Sequence, residues 1–391
     1  MVGRKNKASG QRNVVALGFT SFFNDSASEL AYWILPLFVA GPLGAGAAAL
    51  GWIEGVAEGT ASFARLFSGW WSDRLGRRKP LVVAGYVVAN AVKPLLAFTT
   101  NTLQVLAIRA ADRFAKGTRT APRDAMLAES ADPARRGAAF GFRQAMDSAG
   151  AIVGPLAAFL LLQQHVDLRT IFLLAAIPGA VSVLLVLFVV RETGAGRAAG
   201  PTLARPSTPL PSQFWWLLIA VAVFAIGNSS DLFLVLRAQQ FGIRESAPLL
   251  GLVFNASYTL LAWPLGRLSD RLPRKWLLAA GYLVFSAVYA GFAMLRTSGL
   301  VWGLFVFYGL YYALAEGVLK ALVADLVPPQ SRGRAYGTLA GVYGALVLTA
   351  SLITGQLWEK FGAAVPFRIS SGLAALAAVL VLALRVERAP A

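Results

Sequence analysis

The first long apolar stretch of this sequence contains two carboxylates. Asp25 and Glu29 belong to FFNDSASELAYW, residues 22–33, inside an apolar run that extends from about residue 13 to about residue 40. Because they are four residues apart, they lie one turn apart on the same face of a helix. A charge at the centre of a bilayer costs at least about 2.5–3.5 kcal/mol. We therefore expect both carboxylates to face a cavity or other charges, where a carboxylate can take up and release a proton.

Charged residues recur in the apolar segments that follow. They are Glu54, Glu58, Arg65, Lys93, Arg109, Asp112, Arg113, Lys116, Arg119, Arg143 and Asp147. With the first two carboxylates they make six acids and seven bases, so the charges nearly balance. We hypothesise a charged network whose proton-coupling acids are Asp25, Glu29 and Glu58, with a central base at Arg113. Two alternatives stay open: permanent salt bridges that only hold the helices together, and an anion site formed by Arg109 and Arg113.

The second half of the chain offers amides and aromatic rings instead. Its apolar segments carry Asn228, Asp231, Asn255, Tyr311 and Tyr312, a set that suits an amphipathic organic ligand. Ordinary aromatic packing explains any one ring equally well. With these five, the predicted substrate-binding residues are Asn24, Glu54, Lys93 and Arg109 of the first half.

The elements that must position these side chains are membrane helices. Of the 391 residues, 57% are hydrophobic and 14% are charged, whereas a soluble domain has about 25% charged residues. A helix needs about 20 apolar residues to cross a bilayer. Such segments lie near 13–39, 47–69, 80–98, 103–122, 138–162, 169–190, 213–236, 247–266, 275–295, 299–322, 334–357 and 365–386. We predict an all-α membrane protein with twelve transmembrane helices in a lipid bilayer.

The distribution of charge predicts the topology of these helices. Lys and Arg crowd both termini and every second connection, so by the positive-inside rule those loops and both termini are cytoplasmic. The net charge of +17 is then a topology signal, and we expect no nucleic-acid partner.

The side chains present also limit the chemistry. The chain has no cysteine and a single histidine, His165, so we expect no metal site. We expect no cofactor and no enzymatic activity, because the sequence has no G-x-S-x-G, H-E-x-x-H or phosphate-binding loop. A membrane-embedded enzyme that uses paired aspartates is the alternative of another class.

The two halves of the chain resemble each other. GWWSDRLGRRK at 69–79 matches GRLSDRLPRK at 266–275, and ESADPARRGAAFG at 129–141 matches DLVPPQSRGRAYG at 325–337. The offsets, 197 and 196 residues, nearly agree. Such a repeat indicates a duplicated six-helix unit, a plan typical of transporters.

The repeat predicts the domain organisation. We expect two pseudo-symmetric six-helix bundles, 1–190 and 213–391. Residues 191–212, which are rich in Gly, Pro, Ser and Thr, form a cytoplasmic linker between them.

The repeated loops resemble the signature of the major facilitator superfamily. The matching residues are Gly69, Asp73, Arg74, Gly76, Arg77 and Arg78, with Asp270 and Arg271 in the second copy. The resemblance implies the major facilitator fold. It also implies that these residues form a gate on the cytoplasmic side.

A further motif resembles the antiporter branches of that superfamily. Gly141, Gly150, Gly154 and Pro155 reproduce the pattern G-x8-G-x3-G-P. The resemblance implies a proton-coupled secondary transporter that exports a small organic molecule by antiport and alternating access. It implies a multi-pass monomer of the cell inner membrane. Within transport, the alternative is proton-coupled uptake, or export of a specific anionic metabolite, nutrient or lipid.

Overall fold

The computed structural model describes residues 2–75, 77–132, 136–193, 209–328 and 331–384. These ranges contain fifteen α-helices and no strand, which confirms the prediction of an all-α protein. In the same residues, nine helical regions are long and apolar enough to cross a membrane. The count of twelve spans and the cytoplasmic termini stay predictions.

The described part of the first half forms eight α-helices. They are α1 Val2–Tyr32, α2 Leu35–Ala40, α3 Ala47–Leu75, α4 Lys79–Val92, α5 Thr102–Ser130, α6 Arg136–Gln163, α7 Leu168–Leu174 and α8 Ala176–Leu184. A 3-10 stretch, Lys93–Phe98, continues α4, and a π-helical stretch, Leu185–Val189, continues α8. Pro94 accounts for the first change, because proline has no backbone N–H to donate within an α-helix.

The described part of the second half forms seven α-helices. They are α9 Ser212–Gly227, α10 Leu232–Gln239, α11 Ala247–Arg271, α12 Arg274–Ala293, α13 Ser298–Leu326, α14 Arg332–Phe361 and α15 Ala364–Leu382. Helix α9 ends at Gly227 and α10 begins at Leu232, so the predicted span 213–236 is interrupted at its polar residues. Irregular backbone at membrane depth is tolerated where it is buried in protein or lines a cavity.

Contacts along the chain define two compact units. Unit 1 consists of Met1–Ala45, Val56–Thr202 and Glu245–Leu252, and unit 2 consists of Gly46–Gly55, Leu203–Arg244 and Val253–Ala391. The first turns of α3 are therefore part of unit 2. The predicted domains 1–190 and 213–391 stay a prediction. Most of the predicted linker, residues 194–208, lies outside the described residues.

In unit 1, helix α1 packs most extensively on α6. Glycines allow this close approach: a Cβ atom on Gly154 would lie 2.7 Å from the Ser26 carbonyl oxygen and 2.9 Å from Glu29 Cβ. A Cβ atom on Gly150 would lie 3.1 Å from Asp25 Cβ. Helices in lipid associate through such close packing, because the bilayer offers no hydrophobic driving force between them. Helix α6 thus holds the part of α1 that carries the two carboxylates.

In unit 2, helix α12 packs chiefly against α13 and α15. The interior of this unit is built from aromatic rings. Phe224 stacks on Tyr282 with ring centroids 4.1 Å apart, and Phe285 stacks on Tyr289 at 3.9 Å. Stacked aromatic pairs add to the packing energy beyond their buried area.

Candidate ion and substrate site

The two carboxylates of α1 are half-buried. Asp25 Oδ1 accepts a hydrogen bond from Asn24 Nδ2 at 3.1 Å, and Glu29 Oε2 accepts one from the Trp33 indole N–H at 2.7 Å. Among the described residues, neither carboxylate forms an ion pair. Each therefore accepts from one neutral donor, Asn24 within α1 or Trp33 in the turn just after it, which leaves its charge without a fixed counter-ion.

The other acids inside unit 1 are ion-paired. The pairs join Glu58 to Arg113 at 3.2 Å, Asp112 to Lys93 at 3.5 Å and to Arg109 at 3.6 Å, and Asp147 to Arg143. A nearby opposite charge favours the ionised form of a carboxylate, so these acids have a built-in reason to stay charged. The structure thus divides the predicted proton-coupling acids: Asp25 and Glu29 stand apart from Glu58, which has a basic partner.

A row of hydrogen bonds connects Asp25 to one of these ion pairs. The Asn24 side-chain oxygen accepts from Asn90 Nδ2 at 3.3 Å, and Asn90 Oδ1 accepts from Lys93 Nζ at 3.2 Å. Lys93 Nζ in turn faces Asp112. Asn90 did not stand out in the sequence, although an amide three residues before a lysine in an otherwise apolar span was a usable signal.

A tyrosine of α1 joins the two arginines of α5. The Cζ atoms of Arg109 and Arg113 lie 5.4 Å and 5.7 Å from the centroid of the Tyr32 ring. A guanidinium at this distance over an aromatic ring gains about 0.5–1 kcal/mol, and more when it is desolvated. The structure therefore brings together Asn24, Lys93, Arg109 and Arg113 of the predicted residues, and adds Tyr32 and Asn90.

In unit 2, the polar residues of the interrupted helix bind tyrosine hydroxyls. The Tyr308 hydroxyl donates to Asp231 Oδ1 at 2.6 Å, and Asn228 Nδ2 donates to the Tyr343 hydroxyl at 2.7 Å. The backbone N–H of Ser230, which the break in the helix releases, donates to Ser351 Oγ at 3.1 Å. Asn228 and Asp231 were predicted from the sequence, whereas their tyrosine partners were not, because aromatic residues are common throughout this half.

The remaining predicted residues of unit 2 are two tyrosines beside Tyr308, an amide on α11 and the acid Glu54. Tyr311 is buried and Tyr312 half-buried, with ring centroids 5.6 Å and 5.4 Å from that of Tyr308. Asn255 is half-buried on α11. Glu54 is buried, and its Oε2 atom accepts from Ser230 Oγ at 3.5 Å. Glu54 therefore belongs to the polar cluster of unit 2, whereas Glu58 of the same helix belongs to the charged network of unit 1.

Several predicted gate residues lie outside what the structure describes. Gly76 falls there entirely, and so do the surroundings and side chains of Gly69, Asp73, Arg74 and Asp270. Arg77 and Arg271 are exposed. The predicted gate thus stays a prediction.

The described parts of the repeated loops make matching contacts in the two units. Arg78 forms an ion pair with Glu129 in unit 1, and Arg274 forms one with Asp325 in unit 2. The neighbouring lysines also correspond: Lys79 Nζ donates to the Leu187 carbonyl, and Lys275 Nζ to the Leu384 carbonyl, both at 2.9 Å. The sequence repeat is therefore also a repeat of interactions.

Comparison with known proteins gives the family. The model of the Major Facilitator Superfamily matches residues 17–255 and 217–391. An uncharacterized MFS-type transporter of Methanocaldococcus jannaschii is 35% identical over 95% of this chain and 94% of its own length. A class C tetracycline resistance protein of Escherichia coli is 26% identical over 73% of this chain and 74% of its own length.

Solved structures share the fold. A crystal structure of the nucleoside transporter NupG has a TM-score of 0.80 at 14% identity, and the match covers 95% of this chain and 99% of that one. A crystal structure of the peptide transporter POT has a TM-score of 0.78 at 15% identity, with 95% and 93% coverage. The helical architecture, the apolar spans and the family match agree: the chain belongs to the Major Facilitator Superfamily and is a multi-pass membrane transporter.

Proposed function

We propose that this protein is a proton-coupled secondary transporter that exports a small organic molecule from the cell in exchange for protons. The observation that carries the proposal is the contrast among the acids inside unit 1. Glu58, Asp112 and Asp147 have basic partners, whereas Asp25 and Glu29 form no ion pair among the described residues. An intramembrane carboxylate without a fixed counter-ion gains most from taking up a proton when water leaves its surroundings.

The two acids have different roles in this proposal. Asp25 is the first proton carrier, because hydrogen bonds through Asn24 and Asn90 connect it to Lys93. Glu29, one turn away, accepts the Trp33 indole N–H and is the second candidate. Glu58 is the third candidate. Its ion pair with Arg113, at 3.2 Å, connects α3 to α5.

The substrate contacts are proposed to include the half-buried side chains of unit 2. Tyr312 packs beside Tyr308, whose hydroxyl donates to Asp231 at the break, and Asn255 is half-buried on α11. Tyrosine rings beside a carboxylate suit an organic cation, since the ring faces attract positive charge. A relative named for tetracycline resistance supports export rather than uptake.

The duplicated loops supply the gate of this proposal. Asp73 and Arg74 in the first copy, with Asp270 and Arg271 in the second, close the cytoplasmic side during alternating access. Both termini are cytoplasmic, twelve helices cross the cell inner membrane, and the protein acts as a monomer.

A second candidate substrate is an anionic metabolite, nutrient or lipid. Two arginines on one helix motivate it, because Arg109 and Arg113 both approach Tyr32 and a guanidinium binds carboxylate or phosphate with good geometry. Their existing partners, Asp112 and Glu58, would have to be displaced by such a substrate.

The proposal is tested in proteoliposomes that contain the purified protein and an internal pH dye. Cationic, neutral and anionic compounds are offered in turn at a fixed pH gradient, with protein-free liposomes as the control. We expect cations to drive proton movement opposite to their own. Proton movement in the same direction as an anion would replace this proposal with the second candidate, and transport that ignores the pH gradient would contradict proton coupling.

A further inference from the structure

The structure assigns a role to Asn90, an amide that carries no predicted function. We infer that Asn90 and Asn24 form a directed hydrogen-bond chain that tunes proton binding at Asp25 to the charge of Lys93. The inference rests on the proposed function, because it concerns the acid proposed there as proton carrier. Asn90 acts through its neighbours and is a positioning residue.

The direction of the chain follows from its lysine end. An ammonium group has three donors and no acceptor, so the atom of Asn90 that faces Lys93 Nζ at 3.2 Å must be the oxygen. The amide nitrogen of Asn90 then points to Asn24 Oδ1 at 3.3 Å. This turns the Asn24 nitrogen toward Asp25 Oδ1 at 3.1 Å. Both amide orientations are therefore set by Lys93, and every link donates toward the carboxylate.

The chain is shielded from solvent along its length. The exposed fractions are 3% for Asn24, 7% for Asn90 and 4% for Lys93. Gly179 of α8 closes one side, where a Cβ atom would lie 2.8 Å from Asn90 Oδ1. Hydrogen bonds that follow one another in a low-dielectric interior polarise each other, so the effect of the lysine charge extends to the last donor.

The far end of the chain is the residue that can change state. A carboxylate accepts the Asn24 N–H, whereas a protonated Asp25 is itself a donor and gains less from it. The chain therefore presents a donor to Asp25, and its hydrogen-bonding preference is for the carboxylate as acceptor. Lys93 lies where α4 changes into the 3-10 stretch Lys93–Phe98, and such a change within a helix often marks a hinge. A movement there would lengthen the links and release this preference.

Other charges also act on Asp25, and they must be held constant in a test. Glu29 lies on the same helix, Asp147 faces it from α6, Lys116 from α5, and Lys93 from the end of α4. Removal of Asn90 changes none of these charges. The variant Asn90→Leu keeps a similar volume, deletes both links and leaves the Asn24 amide free to turn its oxygen toward a protonated Asp25.

The test has two readouts on the full chain. The first is the pH profile of substrate-driven proton movement in proteoliposomes. The second is an infrared titration of the purified protein, which follows the carboxyl band that is present in the parent and absent from Asp25→Asn. For Asn90→Leu we expect the midpoint of both to move to higher pH by about 0.5–1 unit, since the Asn24–Asp25 hydrogen bond loses the support of the chain, a change on the scale of one neutral hydrogen bond.

The matched control is Ser182→Ala. Ser182 is fully buried on α8 and donates to the Thr20 carbonyl of α1 at 3.1 Å, so its loss weakens the same helix without touching the chain. Its midpoint must stay at the parent value. If Asn90→Leu fails to fold, Asn90→Ser serves instead, because its short side chain cannot reach both neighbours.

The outcomes separate this inference from the proposed function. An unchanged infrared midpoint in a folded Asn90 variant overturns the inference, whether or not the protein moves protons. A shifted infrared midpoint in a protein that moves no protons supports the chain and contradicts the proposed function. A shift of equal size in Ser182→Ala assigns the effect to general loosening of α1 and also overturns the inference.

Discussion

The two units solve the problem of buried polarity in different ways. Unit 1 places charges in its interior and pairs most of them, as in Asp112 with Lys93 and Arg109. Unit 2 surrounds Asp231 with tyrosines, and the Tyr308 hydroxyl donates to it at 2.6 Å. Charged pairs respond strongly to the loss of one member, whereas a hydroxyl network loses one bond at a time. We therefore expect unit 1 to be more sensitive than unit 2 to the loss of a single charged side chain.

The same difference appears in the apolar spans. Nine helical regions in the described residues satisfy length and composition for a membrane crossing. The predicted spans that have no counterpart among the nine are the first, second and fourth, which correspond to α1, α3 and α5. These are helices that carry the charged network. The charges on α1, α3 and α5 make these helices less apolar. The same charges form the network inside unit 1.

The largest expected effect compares one carboxylate from each unit. Asp112→Asn leaves Lys93 and Arg109 without their shared counter-charge, with side chains only 5% and 8% exposed. Breaking a buried pair costs about 3–5 kcal/mol. Asp231→Asn keeps an acceptor for Tyr308 and weakens one charge-assisted bond, at about 1 kcal/mol. Thermal unfolding in detergent, followed by tryptophan fluorescence, should show the larger drop in Tm for Asp112→Asn; equal drops would remove the distinction between the units.

A second prediction concerns the packing that holds α1. Gly154→Leu forces side-chain atoms against the Ser26 carbonyl and Glu29, so we expect a loss of about 1–3 kcal/mol and of transport. Gly141→Ala is the matched control from the same motif, because a Cβ atom on Gly141 meets nothing within 4 Å. Folded yield by size-exclusion chromatography and transport rate are measured for both. Equal tolerance of the two changes would mean that the motif does not act through contact with α1.

The smallest effect is expected from the loss of Asp167, a carboxylate outside the membrane spans. Asp167 caps α7 by accepting from the backbone N–H groups of Arg169 and Thr170, at 2.9 Å and 3.1 Å. The Thr170 hydroxyl, which also donates to it, lowers the pKa of Asp167. Its contribution to stability is therefore full above the ordinary aspartate pKa of about 3.9 and is lost as the pH falls through the lower folded value.

This cap supplies a reference for the membrane acids. Asp167→Ala should cost about 1 kcal/mol near neutral pH, because an N-cap bond is removed. The cost should fade only in strong acid, and the pH profile of transport should stay that of the parent. Tm measured across pH checks the first point. A transport profile that moves with Asp167 would assign proton sensitivity to the start of α7 instead of to α1.

The sequence was sufficient for what depends on composition and repetition. Apolar length predicted the helices, and the duplicated loops predicted the family. Asp25, Glu58 and Asp231 were identified as candidates because a charged residue within a membrane span costs free energy and therefore indicates a function.

The sequence could not predict which side chains pair with each other, because the pairing depends on how each helix is rotated about its axis. Glu54 and Glu58 are only four residues apart on α3, yet Glu54 accepts from Ser230 of unit 2 and Glu58 pairs with Arg113 of unit 1. The break between α9 and α10 was also missed, because the apolar run around it is long enough for one continuous span. Asn90 was overlooked because attention went to charged residues, although its position three residues before Lys93 in an apolar span was a usable signal.

The most direct measurement compares Asp25→Asn with the parent in two modes of transport. One mode is uphill substrate movement driven by a pH gradient, and the other is substrate exchange at equal pH on both sides, which needs no net proton transfer. We predict that Asp25→Asn loses gradient-driven accumulation and retains exchange, because it binds substrate and lacks the proton site. Gradient-driven accumulation at the parent rate in Asp25→Asn would contradict the assignment of Asp25 as the proton carrier.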